Sequence, residues 1–155
     1  SSGIQQTKLK KLLKKLQGYD EIIVDNNPSI NLCTTNALCA CDRLIIPADL
    51  EKGALKGIEL TLQHSQEILE NIDGANFEIR ILPTKIQRNK IDTETLEELK
   101  TAYGSMVYQT NIRYQAAPIK DSSMKGRMLI NDMKSRSKVA QDYRDLVAEV
   151  LQEEK

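Results

Sequence analysis

Residues 19–60 read YDEIIVDNNPSINLCTTNALCACDRLIIPADLEKGALKGIEL, and their pattern decides the fold class. Residues 21–25 form a short apolar run closed by an acid, which is typical of a strand buried on both faces. Residues 26–29 break that strand, and the small side chains of residues 31–41 predict a helix packed close to a sheet. Residues 44–47 predict a second buried strand. Two buried strands joined by a helix indicate a parallel sheet.

The flanking sequence extends this alternation in both directions. Apolar residues recur at helical spacing along residues 4–16 and 55–72. The remaining predictions are a third strand over 77–82, a helix from Thr93 to Tyr103, a fourth strand over 106–112, a basic loop over 113–135 and a closing helix from Val139 to Val150. The sequence therefore predicts an α/β fold, a parallel sheet with helices on both faces, in a single domain over residues 1–155.

The charge balance does not point to a partner, but the charge distribution does. The chain has 22 basic and 22 acidic side chains, so its net charge is zero. Basic side chains outnumber acidic ones over residues 113–138, which is typical of a surface that contacts nucleic acid. No apolar run approaches the roughly 20 residues that span a bilayer. The acidic end at residues 152–155 would be repelled by anionic lipid, so we expect no membrane association.

Three cysteines crowd into one short segment, at positions 33, 39 and 41. A secreted disulfide framework would use an even number spread along the chain. A zinc site would need paired cysteines or interleaved histidines, and His64 is the one histidine in the sequence. We therefore interpret the cysteines as buried thiols of a reducing cytoplasm rather than as metal ligands.

Polar side chains follow each predicted strand at its carboxyl end, where open parallel sheets bind ligands. They are Asp25 after the first strand, Asp49 after the second, Thr84 and Lys85 after the third, and Asn111 and Arg113 at the fourth. An acid that closes an apolar strand is how phosphate-binding folds hold Mg²⁺ through water. A helix cap or a turn residue is the alternative interpretation of such an acid.

The quoted stretch resembles ParA/Soj-type partition ATPases, which belong to the deviant Walker group that also contains MinD. The shared positions stand in one register without gaps and are Tyr19, Asp20, Ile22, Ile23, Asp25, Pro28, Ser29, Asn36, Ala37, Leu38, Asp42, Ile46, Pro47, Ala54, Leu55 and Gly57. Further along, residues 111–113 with 117–118 resemble the family's NvRlsEAP stretch, and residues 132–136 resemble its DPrSrg stretch. The resemblance thus covers nearly the whole chain.

The resemblance implies a P-loop NTPase-like fold, incomplete at its N-terminal side, and an intact protein that uses ATP and Mg²⁺. Asp25 then matches the Walker B aspartate, a catalytic residue that holds Mg²⁺ through water, and Thr84, Lys85 and Asn111 match nucleotide contacts. The resemblance also implies a cytoplasmic, nucleoid-associated homodimer, a ParB-like centromere-binding partner and non-specific DNA binding. Without the family's N-terminal strands, an exposed sheet edge also predicts another form of self-association of the isolated chain. The matching DNA-binding residues are Arg113, Lys120, Lys125, Arg127, Lys134, Arg136 and Lys138.

The sequence also departs from the family pattern, because it contains no GKGGxGKT phosphate loop. A phosphate cradle needs several glycine amides and a lysine. We therefore expect that this chain alone binds no nucleotide tightly, hydrolyses no ATP, and forms the C-terminal part of a longer ATPase. Two alternatives stay open: a catalytically inactive module for DNA binding or oligomerisation, and a MinD-like or synthetase-type deviant Walker enzyme of another process.

Overall fold

The structure is a computed structural model, and it describes residues 5–27, 29–50, 54–126, 128 and 137–153. Its elements in chain order are α1 (Lys8–Leu13), α2 (Leu32–Ala40), β1 (Arg43–Asp49), α3 (Ala54–Asn71), β2 (Glu78–Thr84), α4 (Lys90–Tyr103), a 3-10 turn (Gly104–Met106), α5 (Ala116–Met124) and α6 (Lys138–Gln152). β1 pairs with β2. The predicted α/β class with a parallel sheet is confirmed.

The chain groups into two compact units, which are described in turn. The first unit comprises Ser1–Leu44 and Gly57–Ile79, and the second comprises Ile45–Lys56 and Arg80–Lys155. In the parts of the chain that the structure describes, no helix is long and apolar enough to cross a membrane.

The first unit is built around the apolar faces of α2 and α3. Leu38 and Cys39 of α2 are buried together with Ile68 of α3 and Phe77, which directly precedes β2. The α2 helix begins where predicted because Asn31 caps it, its side chain accepting hydrogen bonds from the backbone N–H groups of Cys33 and Thr34. The small residues of α2 thus allow the close packing that the sequence predicts.

Asn36 joins α1 to α2 within this unit. Its Oδ1 accepts a hydrogen bond of 3.2 Å from the backbone N–H of Leu9, and its Nδ2 donates to the carbonyl of Gln5 at 2.9 Å. Lys10 of α1 also donates to the carbonyl of Gly74 at 2.6 Å. These polar contacts hold the short α1 helix, which has no buried side chain of its own.

The prediction of a buried strand over residues 21–25 is wrong for this structure. The described residues 21–27 have no regular secondary structure and are exposed, and 94% of the surface of Ile23 is accessible. A strand with apolar side chains on both faces is stable when it pairs with a neighbouring strand and other elements cover its faces. Among the described residues, no strand pairs with this segment, so its backbone forms no strand hydrogen bonds.

The second unit is organised by the segment that follows the 3-10 turn, which lies parallel to β2. The backbone N–H of Tyr108 donates to the carbonyl of Ile81, and that of Ile112 donates to the carbonyl of Pro83, both at 2.9 Å. The predicted fourth strand over 106–112 does not form as a strand, although the segment runs parallel to β2 and the described residues include isolated parallel bridges at Val107 and Arg113. Its apolar side chains pack with Leu82 and with Val139 of α6 in one core.

Two carboxylates of α6 complete the backbone hydrogen bonding of that segment. Glu149 accepts from the backbone N–H groups of Gln109 at 2.7 Å and Thr110 at 2.9 Å. Asp142, about two helical turns earlier, accepts from the backbone N–H of Arg113 at 3.0 Å. Burial raises the pKa of the Glu149 carboxyl, but the hydrogen bonds from Thr110 and Gln109 outweigh it, so the pKa lies below its ordinary value.

Three further boundaries differ from the predictions. The predicted basic loop over 113–135 contains a helix, α5, whose first residues include Pro118, a residue that a helix accepts near its start. The α4 helix begins at Lys90 rather than Thr93, because Asn89 supplies the cap. Pro83 lies inside β2 rather than after it. Of the cysteines, Cys33 is exposed, which contradicts its predicted burial, whereas Cys39 is buried.

The exposed segment gives a first test by amide hydrogen exchange. Because their backbone makes no strand hydrogen bonds, the amides of Ile22 to Asp25 should exchange at nearly the rate of an unfolded peptide. The amides of Tyr108 and Ile112, which donate to β2, serve as the protected reference. Strong protection across Ile22 to Asp25 would contradict this description of the segment.

The Glu149 contacts give a second test through stability. Glu149→Gln should lower the free energy of unfolding by about 1–3 kcal/mol at neutral pH, because a charged acceptor of two backbone N–H groups is lost. The folded pKa of Glu149 is lowered, so its stabilisation is complete above the unfolded pKa and disappears as pH falls through the folded value.

Urea unfolding of the wild type and the variant across the acid range measures this difference. Glu70→Gln is the matched control, since Glu70 is an exposed glutamate on α3. A Glu149→Gln variant as stable as the control at neutral pH would exclude a stabilising role for the carboxylate.

Candidate functional site

The carboxyl ends of β1 and β2 carry a charged pair within the second unit. Asp49 is the last residue of β1, Thr84 is the last residue of β2, and Lys85 follows it with a φ of 55°. That left-handed backbone costs energy in a residue with a side chain. The Lys85 ammonium group donates to Asp49 Oδ2 at 2.5 Å. The two strand ends that the sequence predicts as ligand-binding thus already contain one cation and one anion in contact.

The loop after Lys85 is held by the first turn of α4. Asp92 accepts a 2.6 Å hydrogen bond from the backbone N–H of Gln87, and its own backbone N–H donates to Asn89 Oδ1 at 2.8 Å. The second bond satisfies a donor in the first turn of α4, and the first bond attaches the loop to that turn. The loop borders an open surface depression of about 650 Å³ lined by Ile86, Gln87, Arg88, Asn89, Lys90, Thr93 and Glu94. A planar ring could lie in a depression of this size.

Asn111 lies on the segment that runs beside β2, and it is half-buried. Its side-chain Oδ1 is buried and has no hydrogen-bond donor among the described residues. Lys85 and Asn111 belong to the second unit, as does Thr84. The structure therefore brings these three predicted nucleotide-contacting residues into one unit, at or near the carboxyl end of β2.

Arg113 forms a bidentate ion pair with Asp142 of α6. Its Nε donates to Oδ2 and its Nη2 donates to Oδ1, each at 2.7 Å. Asp142 is buried, with 8% of its side chain exposed, whereas 38% of the Arg113 side chain is exposed. The hydrogen bonds to Asp142 raise the pKa of the guanidinium further above its ordinary value, so Arg113 stays charged. Sequence reasoning missed Asp142, although an acid inside the apolar stripe of α6 was a signal for it.

The other predicted DNA-binding residues differ in exposure and in ion pairing. Lys120 on α5 and Lys138 on α6 are exposed. Lys125 is exposed and pairs with Asp121 at 2.7 Å, an interaction of the kind that contributes little to stability. Arg127, Lys134 and Arg136 lie outside the described residues. The ammonium groups of the exposed lysines act as compact point charges and can bind phosphate oxygens.

Asp25 lies in the first unit, on the exposed segment 21–27. As a magnesium ligand it can supply one carboxylate, and Mg²⁺ is held by one or two carboxylates together with waters and substrate phosphates. Within the described residues, no group of three or more histidine, cysteine, aspartate or glutamate side chains could hold a metal ion.

The thiols of Cys39 and Cys41 are not activated as nucleophiles. Burial raises the pKa of Cys41 to about 11 and also raises that of Cys39. A raised pKa keeps the thiol protonated at neutral pH and lowers its reactivity as a nucleophile. This agrees with the interpretation of Cys39 as a structural side chain.

Comparison with known proteins identifies the family to which this chain belongs. Residues 2–81 match the model of a family described as AAA domain, and this chain belongs to that family. Within it the chain is of the ParA/Soj type, as its sequence pattern predicts.

Among curated proteins, the chain is similar to the sporulation initiation inhibitor protein Soj of Bacillus subtilis. The two are 32% identical over 152 residues, which cover 94% of this chain and 58% of Soj. The chain thus spans little more than half of the length of that relative.

Two solved structures are similar in fold. A plasmid partition protein from Borrelia burgdorferi has a TM-score of 0.61 and 26% identity, over 72% of this chain and 46% of that protein. Cobyrinic acid a,c-diamide synthase from Mycobacterium smegmatis, with a bound ATP analog and magnesium, has a TM-score of 0.77 and 24% identity, over 97% of this chain and 55% of the synthase. At that identity, the likeness to the synthase shows the fold alone.

The cap of α4 gives a test of how much Asn89 contributes to stability. Asn89→Ala should lower the free energy of unfolding by about 1 kcal/mol, because the first turn of α4 loses the acceptor for the N–H of Asp92. Arg88→Ala, one residue earlier and exposed, is the control. Equal stability of the two variants in urea unfolding would show that the cap contributes nothing.

Proposed function

We propose that this chain is the C-terminal part of a ParA/Soj-type ATPase that partitions DNA. In the intact protein, ATP and Mg²⁺ would bind between two subunits, and the resulting homodimer would bind DNA without sequence specificity. A ParB-like centromere-binding protein would stimulate hydrolysis. The protein would act in the bacterial cytoplasm on the nucleoid. The observation that carries the proposal is the similarity to Soj along 94% of the chain.

On the nucleotide side, Asp25 is the proposed Walker B aspartate, and Thr84, Lys85 and Asn111 are the proposed nucleotide contacts. ATP with Mg²⁺ would supply the transferable phosphoryl group and the cation that neutralises its charge. The open depression beside Lys85 and the buried, donor-free Oδ1 of Asn111 support a ligand with polar edges at this end of β2. The 155 residues contain no phosphate loop, so we expect this chain alone to hydrolyse no ATP.

On the DNA side, the proposed contacts are basic side chains that follow the segment beside β2. They are Arg113, Lys120, Lys125, Arg127, Lys134, Arg136 and Lys138. Tyr114 is the one aromatic side chain within residues 113–138, so stacking on bases can contribute little. The contacts are therefore proposed to be with backbone phosphates, which give sequence-independent and salt-dependent binding.

Fluorescence anisotropy with a labelled DNA duplex tests the DNA side on the 155-residue chain. The wild type should bind, and log K should fall linearly with log salt. A double variant, Lys120→Ala with Lys138→Ala, should lower the magnitude of the slope by about 2, because each phosphate contact contributes roughly 0.9.

Lys56→Ala with Lys90→Ala removes two exposed lysines outside the proposed surface and serves as the matched control. A wild-type slope of log K against log salt near zero would exclude residues 113–138 from the DNA-binding surface. Equal decreases of that slope in both double variants would exclude them as well.

Nucleotide binding tests the ATPase side. A longer product of the same reading frame that includes a GKGGxGKT segment should bind Mg-ATP, and Asp25→Ala should abolish hydrolysis in that form. If no such segment precedes this chain and the chain still binds DNA, the protein is instead a catalytically inactive DNA-binding module.

A further inference from the structure

The Arg113–Asp142 pair differs from the other ion pairs of the second unit in its geometry. Asp142 receives the Nε and Nη2 groups of Arg113 on its two oxygens, each at 2.7 Å, and also the backbone N–H of Arg113 at 3.0 Å. Three hydrogen bonds to one buried carboxylate fix both the backbone and the plane of the guanidinium. The position of this cation is thus set by α6 rather than by its own flexible side chain.

The pair leaves part of the guanidinium available. An arginine has five N–H donors, and Asp142 takes one from Nε and one from Nη2. The remaining donors have no acceptor among the described residues, and 38% of the side chain is exposed although Asp142 itself is buried. Two N–H groups on one edge of a guanidinium match two oxygens of a phosphate.

We propose that Asp142 is a positioning residue, which holds Arg113 so that the free donors of its guanidinium bind a phosphate of the DNA backbone. This inference rests on the proposed DNA-binding function and adds a residue that no basic-patch argument would include. A carboxylate beside a DNA-binding surface would otherwise weaken binding, since it repels the phosphates. If Asp142 positions Arg113, loss of the carboxylate charge should weaken DNA binding. If Asp142 only repels the phosphates, the same change should strengthen DNA binding.

The test uses Asp142→Asn in the DNA anisotropy assay with the 155-residue chain. If Asp142 positions Arg113, the variant should bind DNA about five- to tenfold more weakly despite its gain of one net positive charge. Glu149→Gln is the matched control, because it removes a carboxylate from the same helix that receives backbone N–H groups but no arginine. The control should bind DNA as tightly as the wild type or slightly more tightly.

A double-mutant cycle separates positioning from a general loss of structure. In an Arg113→Ala background, Asp142→Asn should not weaken DNA binding any further, because there is no guanidinium left to position. Arg113→Lys keeps the charge but loses the planar donors, so its salt slope should stay near the wild-type value while its affinity falls. Thermal unfolding shows whether each variant is folded at the assay temperature.

If Asp142→Asn fails to fold, Asp142→Glu replaces it. This variant keeps the carboxylate but displaces it, and it should bind DNA more weakly than the wild type with an unchanged net charge. A folded Asp142 variant that binds DNA as tightly as the wild type would overturn the positioning role alone. The same would follow if the Asp142 substitution weakened DNA binding equally in the wild-type and Arg113→Ala backgrounds. A wild-type chain that does not bind DNA would overturn the proposed DNA binding itself and this inference with it.

Discussion

The backbone N–H and C=O groups of a parallel strand need hydrogen-bond partners, and this requirement organises the second unit. β2 pairs with β1, and the segment around Tyr108 and Ile112 lies parallel to β2 with backbone hydrogen bonds of 2.9 Å. The N–H groups that this segment leaves unpaired are taken by Glu149 and by Asp142 of α6. Side-chain carboxylates therefore stand where a further strand would otherwise have to pair.

The same requirement accounts for the segment that ends in Asp25. Its apolar side chains favour a strand, but a strand that is apolar on both faces needs neighbours, and no described strand pairs with it. The exposure of Ile23 is the consequence. The proposed Mg²⁺ ligand Asp25 therefore lies on a segment whose conformation depends on strands that could pair with it. Lys85 and Asn111 lie beside β2, which is already paired.

The charged groups near the strand ends are coupled to one another rather than left to solvent. Lys85 contacts Asp49, and Arg113 is bound by Asp142. A ligand that binds Lys85 has to compete with Asp49, whereas Arg113 keeps free donors beside its carboxylate. Anion binding at these two cations therefore has different energetic requirements. This difference follows from side-chain geometry and cannot be read from the number of lysines and arginines.

Much of the fold followed from local sequence patterns, because these patterns depend on neighbouring residues alone. The apolar runs and helical spacings of residues 31–47 and 55–72 predicted α2, β1 and α3 to within a few residues, and Lys85 was correctly placed just after the third predicted strand. The α/β class and the ParA/Soj pattern were also determined by the sequence. The roles proposed for Asp25 and for the basic residues remain predictions.

Only the tertiary structure decided the features that depend on contacts between distant residues. The unpaired state of residues 21–27 depends on which strands are present beside them, and local hydrophobicity carries no information about that. The pairing of Arg113 with Asp142 joins residues from different elements, so no spacing rule could assign it. The sequence thus determined which segments can form strands and helices. Backbone pairing determined which of those segments did form them, and the buried carboxylate of Asp142 determined the orientation of the Arg113 guanidinium.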